Sequence, residues 1–298
     1  MRHSKDARRT GGRAASRRNA WANKSMNRIA TNGHAYYAVT AGVEVAWEEL
    51  LVRVGREADI AFDFLSYPLP QPQEELWSRS DLGCIFMMCG YPIAMRHFAV
   101  TPIAAAIPSA PWARGRALYR SDLIVKADSR FHTLSDTFGG RLGWTTNHSH
   151  SAFNAVRHHL LQYRTPDRPA LYSRVVGDLG SVRKLFDSVC DGTIDVGSID
   201  AYWHLLLQRY QPELAAHVRV IDSTATAPIP AFVASPAVPR EIIDRLAATL
   251  RSAQHQVWFH ALAAATLITG FAACALEDFD IIRVREHEAI RAGYPLPA

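Results

Sequence analysis

The stretch TTNHSHSAFNAVRHHLLQ, residues 145–162, sets two hydroxyls and an imidazole at the start of a helical pattern. Ser149, His150 and Ser151 come first, and Phe153, Val156, Leu160 and Leu161 then share an apolar face. The first turn of a helix leaves backbone N–H groups without partners and carries the positive end of the dipole. Side-chain oxygens there either cap the helix or join the free N–H groups in holding a phosphate, phosphonate or carboxylate. Asn154 stands one turn in, within reach of the same ligand. Both readings remain open from these residues alone. Asp200 poses a similar choice. In VGSIDAYWHLL a strand feeds a helix, so its carboxylate is either an N-cap or an acceptor for an amino or hydroxyl group in a cleft. Tyr36, Tyr37 and Tyr91 follow the first and third expected strands; each offers a flat apolar face and a hydroxyl to a small polar ligand, or else packs in the core.

Other chemistries have less support. His148 and His150 alternate, and His158 and His159 are adjacent, which points them about 100° apart on a helix. No acidic or cysteine partner lies at a metal-ligand spacing, so no metal site is expected. Cys84, Cys89, Cys190 and Cys274 form no C-x-x-C pair and read mostly as small buried hydrophobes. Cys89 beside Gly90 has no His or Asp placed by sequence to activate it. Nucleotide-type glycine loops, G-x-S-x-G and H-E-x-x-H are all absent, and no cofactor is expected.

The elements that must carry these residues alternate. RIATNGHAYYAVT reads as a strand and its loop, and AGVEVAWEELLVRVGRE as a helix with Val43, Trp47, Leu50, Leu51 and Val54 on one face. IAFDFLSYP alternates as a second strand. A proline-punctuated loop and short helix follow, then LGCIFMMCGYP, apolar enough for a strand covered on both faces. A second such unit runs from ALYRSDLIVKADS through VRKLFDSVCDG, closed by Gly192, to TIDVGSIDAYWHLLL. HVRVIDSTATAPIPAFVAS is strand, loop and strand, and the chain beyond Pro239 is mainly helical. The order points to α/β layers with largely parallel sheets.

At 298 residues with 48% apolar composition the chain can fill two lobes. No apolar run reaches the length of a membrane span; ALAAATLITGFAACAL is broken by Thr266, Thr269 and Gly270. The net charge of +5 conceals an asymmetry. Residues 1–28 hold nine Lys or Arg and one Asp, while the remaining 270 hold 24 basic and 27 acidic residues. The body is therefore slightly acidic, without a basic stripe or motif for nucleic acid. The first 27 residues read as a disordered basic tail with no apolar h-region of an export signal.

Several of these segments, in this order, resemble the phosphate/phosphite/phosphonate type of substrate-binding protein from ABC importers. They are MCGYP (88–92), YRSDLIVKADS (119–129), SDTFGGRLGW (135–144), SHSAFNAVRHHL (149–160), DGTIDVGSIDAYWHLL (191–206), STATAPIPAFVAS (223–235) and AGYP (292–295). The resemblance implies a two-lobed periplasmic-binding-protein-like α/β fold. Each lobe would be a mostly parallel sheet flanked by helices, joined by two crossover strands. Lobe one would comprise 28–121 and 227–298, with the C-terminal helices packed back on it, and lobe two 122–226. The implied function is non-enzymatic capture of a small anion for an ABC permease, in the periplasm, with hinge closure. The implied site is Tyr36, Tyr37, Tyr91, Ser149, His150, Ser151, Asn154 and Asp200. Two positions depart from the family pattern: Ala152 replaces a Gly, and Val182 replaces a His donor. An intracellular enzyme or ligand sensor on the same bilobal fold is the alternative, and the missing export signal favours it.

Overall fold

A computed structural model describes residues 27–66, 73–79 and 84–298. The basic segment expected to be disordered lies outside the described residues up to residue 26, and Asn27 already opens the first strand. Lobe one begins with β1 (Asn27–Thr31), α1 (Ala41–Glu57), β2 (Ile60–Phe64), α2 (Gln73–Trp77), β3 (Cys84–Met88), α3 (Gly90–Ala94) and β4 (Thr101–Pro108). β5 (Leu118–Tyr119) carries the chain into β6 (Ser121–Lys126) of lobe two. There follow β7 (Arg141–Gly143), α4 (Ala155–Leu160), β8 (Arg174–Val176), α5 (Val182–Cys190), β9 (Val196–Asp200), α6 (Ala201–Tyr210), α7 (Pro212–Ala215) and β10 (Val218–Ser223). β11 (Ala227–Pro228) leads back to β12 (Ala231–Ala234), α8 (Arg240–Ser252), α9 (Phe259–Thr266), β13 (Ile268–Ala272) and α10 (Asp280–Arg291).

Two sheets result. The first has the order β13-β4-β12-β3-β1-β2, the second β10-β6-β9-β7-β8. β1 pairs in parallel with β2 and β3, whereas β12 and β13 run against the rest of their sheet. In the second sheet β7 pairs in parallel with β8 and β9, and β6 alone runs the other way. Most strands of each sheet thus point the same way, but the reversed strands β6, β12 and β13 pair antiparallel with their neighbours, so both sheets are mixed; β6 and β12 are the strands that follow the crossings. The crossings themselves pair: β5 and β11 form a two-stranded antiparallel ribbon, Tyr119 opposite Ala227 and Leu118 opposite Pro228. A ribbon of two short strands between two packed layers is the geometry of a hinge.

Local rules explain most of the elements. α1 starts at Thr40, whose Oγ1 accepts from Val43 N, and buries Val43, Ala46, Trp47, Leu50, Leu51 and Val54. That is one helical stripe, and full burial of each large member stabilises by about 1.5–3 kcal/mol. α5 is capped by Ser181, and Gly192, at φ +77°, stands where the left-handed turn after it requires glycine.

The C-terminal part departs from the expected division. α8 and α9 do pack on the first sheet, burying Ile242, Ile243, Leu246, Leu250, Phe259 and Leu262 in its core. α10 instead lies across both lobes, against α3 on one side and α4 on the other. Tyr294 beyond it joins the core of lobe two, and Leu171 N donates to Ala298 O. The reason is shape. Gly90 leaves no Cβ where one would stand 2.7 Å from Ile282 Cδ1, so α10 can settle into the seam.

Candidate ligand-binding site between the lobes

The carboxyl ends of β1, β3, β7 and β9 meet at the seam, where α/β sheets place their ligand sites. The loop after β1 supplies Tyr36 and Tyr37. Its turn is held by Gly33 N donating to Thr31 Oγ1 and by Asn32 Nδ2 donating to Gln73 Oε1 at 2.9 Å. β3 ends at Cys89. The hinge strand β5 contributes Tyr119, only 1% exposed. From lobe two come His150 and Ser151, on a wide π-turn (His150–Asn154) that opens α4, and Asp200 at the end of β9.

Two contacts tie the lobes together here. Tyr37 Oη donates to Asp200 Oδ2 at 2.9 Å, and His150 N donates to Cys89 Sγ at 3.5 Å. The phenols of Tyr36 and Tyr119 both lie beside the Cys89 thiol. Burial raises both phenols well above their ordinary pKa, so they are neutral donors. It also pushes the Cys89 thiol up, against the lowering effect of the His150 N–H. A neutral buried thiol is a poor nucleophile. Among the described residues His150 Nε2 has no hydrogen-bond partner, and Tyr119 Oη has only the Cys89 thiol beside it. The His150 pKa is lowered to about 3, first by burial and then by the charges of Arg285 and His158, so the ring is neutral.

Asp200 does two jobs at once. Its Oδ1 accepts from Tyr202 N at 2.8 Å and Trp203 N at 3.2 Å, capping α6, while Oδ2 takes the Tyr37 hydroxyl. The cap is thus one of its contacts, and its second oxygen is held by the protein's own Tyr37. Burial raises its pKa to about 6, against the opposing effect of the Trp203 N–H, the Tyr37 hydroxyl and the Tyr202 N–H. Ser149 is a cap: its Oγ accepts from Ala152 N at 3.1 Å. Ser151, 6% exposed, lends its carbonyl to Ser198 Oγ, and its hydroxyl has no partner among the described residues. Asn154 is tied elsewhere, donating to Ile282 O at 3.1 Å and accepting from Arg157 at 2.7 Å. Tyr91 turns to α10, donating to Glu286 at 2.6 Å. The structure thus brings Tyr36, Tyr37, His150, Ser151 and Asp200 together. Ser149, Asn154 and Tyr91 surround them with their polar groups already engaged.

Sequence reasoning did not place Tyr119, Cys89 or Arg285 here. Tyr119 stands inside a crossover strand, where a lone tyrosine gives no signal. Cys89 reads from the sequence as a small buried hydrophobe without an activating partner. Arg285, half-buried on α10, bonds to Thr226 O at 2.8 Å near Tyr119 and His150, and nothing local marks it. Of the other histidines in this segment, His158 pairs with Glu288, His159 with Asp222, and His148 packs edge-on against His97. Among the described residues no three His, Cys, Asp or Glu side chains converge as a metal site would need, and no helix is long and apolar enough to cross a membrane.

Comparison with known proteins bears on the family and the fold. Residues 79–279 match the family model described as ABC transporter, phosphonate, periplasmic substrate-binding protein. No curated protein matches the chain. Among solved structures, a binding-protein component of an ABC phosphonate transporter from Pseudomonas aeruginosa superposes with a TM-score of 0.73 at 17% identity, covering 90% of this chain and 88% of that one. PhnD1 from Prochlorococcus marinus, in complex with methylphosphonate, gives 0.71 at 10% identity over 89% and 98%. An R. palustris protein with adipate gives 0.62 at 10% identity over 91% and 98%. At such identities these likenesses establish the bilobal fold.

Proposed function

The chain belongs to the phosphonate-type periplasmic substrate-binding proteins of ABC transporters, and we propose that it captures a small oxyanion, phosphate or an alkylphosphonate, at the seam between its lobes. The observation that carries this reading is a pair of side chains, each 1% exposed, with unpartnered polar atoms. They are Tyr119, whose Oη has only the Cys89 thiol beside it, and His150, whose Nε2 has no hydrogen-bond partner among the described residues; their ring centroids lie 6.0 Å apart. A buried polar group without a partner is costly, and an oxyanion at the seam would complete these two. The Ser151 and Tyr36 hydroxyls add further neutral donors. Neutral donors suit an oxyanion that must also be released, because hydrogen bonds to a charged acceptor are strong without a buried ion pair.

Asp200 narrows the ligand. A buried carboxylate repels a fully ionised oxyanion but accepts from one that keeps its own O–H or carries an amino or hydroxyl group at its far end. Family membership supports delivery to an ABC permease and a periplasmic location. The neutral Cys89 thiol and neutral His150 ring support binding without covalent chemistry. Isothermal titration of the full chain with inorganic phosphate, methylphosphonate, adipate and arginine tests the reading. Saturable heat is expected with phosphate or methylphosphonate and none with arginine. Binding of arginine or adipate, with neither oxyanion bound, overturns it.

A further inference from the structure

The polar contacts behind His150 decide which of its ring nitrogens carries the proton. Arg157, 2% exposed, lies two turns into the same helix. A guanidinium donates and never accepts. Its Nη2 donates to Asn154 Oδ1 at 2.7 Å and lies 3.4 Å from Glu286 Oε1, while Nη1 donates to Pro295 O at 2.9 Å. Asn154 must therefore turn its oxygen to Arg157 and its NH2 group the other way. That nitrogen donates to Ile282 O at 3.1 Å and faces His150 Nδ1 at 3.5 Å. An amide NH2 has no lone pair to offer a ring N–H, so Nδ1 is the acceptor. Burial keeps the imidazole neutral, with its pKa near 3. A neutral ring has one proton, which is left to Nε2, the nitrogen without a partner.

We infer that Arg157 and Asn154 are positioning residues that fix His150 in its Nε2–H tautomer, so that this nitrogen donates to the bound oxyanion. The inference rests on the oxyanion reading above. In the opposite tautomer His150 would aim a lone pair at the anion, and a donor would become a repulsive contact. Neither Arg157 nor Asn154 needs to touch the ligand. This accounts for a buried Asn154 whose own hydrogen bonds are all taken by protein groups.

Long-range 1H–15N correlation spectra of the 15N-labelled full chain read the tautomer directly, with His150 assigned by its loss in His150→Gln. The expected spectrum shows a protonated Nε2 and an unprotonated Nδ1 near neutral pH. Asn154→Asp, which keeps the acceptor for Arg157, replaces the NH2 by a second acceptor. It should move the ring proton to Nδ1 and weaken methylphosphonate binding at least tenfold. A proton on Nδ1 in the wild type, with oxyanions bound normally, overturns the positioning role alone. So does an unchanged tautomer in Asn154→Asp. Failure of the wild type to bind either inorganic phosphate or methylphosphonate overturns the oxyanion reading and the donor role with it.

Discussion

Asp200→Asn should make this protein more stable at neutral pH, and the gain should disappear in acid. The wild-type carboxylate is 5% exposed and its pKa is raised from 3.8 to about 6, chiefly by burial. That rise corresponds to about 3 kcal/mol at 1.36 kcal/mol per tenfold change in the constant. A raised folded-state pKa means that the native protein binds more protons than the unfolded chain between about pH 3.8 and 6. Stability from this group is fully present below the unfolded value and is lost as pH rises through 6. At pH 7.5 the wild type bears the whole desolvation cost of the ionised group. Asparagine avoids that cost. It is as good an N-cap as aspartate, so Oδ1 still accepts from Tyr202 N and Trp203 N, and its NH2 can donate to the Tyr37 oxygen. The urea midpoints of both proteins, compared at pH 4, 5, 6 and 7.5, read the difference directly, since all other titrating groups cancel. The variant should lead by up to about 3 kcal/mol at pH 7.5 and by little at pH 4. A variant less stable than wild type at pH 7.5, or a difference that does not change with pH, refutes the claim that burial dominates this carboxylate.

The two serines at the start of α4 should separate. Ser149→Ala loses the cap to Ala152 N and should cost about 1 kcal/mol of stability with little change in phosphate or methylphosphonate affinity. Ser151→Ala should leave the melting temperature nearly unchanged and weaken oxyanion binding by about ten- to a hundredfold, the worth of a hydrogen bond to a charged group. The reverse assignment in titrations and thermal melts would exchange their roles. Tyr37→Phe removes the side-chain bond between the lobes to Asp200, so small-angle scattering of the unliganded variant should show a larger radius of gyration than wild type. An unchanged profile would mean that α10 and its neighbours hold the lobes shut without it.

Much of this architecture was legible in the chain itself because the signals are local. The stripe of Val43, Trp47, Leu50, Leu51 and Val54 and the glycine at Gly192 are decided within one or two turns, whereas Ser149 stayed open between a cap and an anion donor. The order of such units indicated alternating α/β layers, and the resemblance to the substrate-binding proteins supplied the two lobes and their crossings. Tertiary structure alone decided how the polar side chains are used, because their partners are far away in sequence. Tyr37 meets Asp200 across 163 residues, Asn154 reaches Ile282 across 128, and Tyr91 is drawn to Glu286 across 195. Those partners lie on α10 or on the opposite lobe. α10 settles over the seam because Gly90 lets Ile282 in, a fit that neither segment reveals by itself. Hydroxyls that look alike along the chain thus divide in the fold. Those that packing supplies with a protein partner become structural, and those at the seam left without one are where the proposed oxyanion would bind.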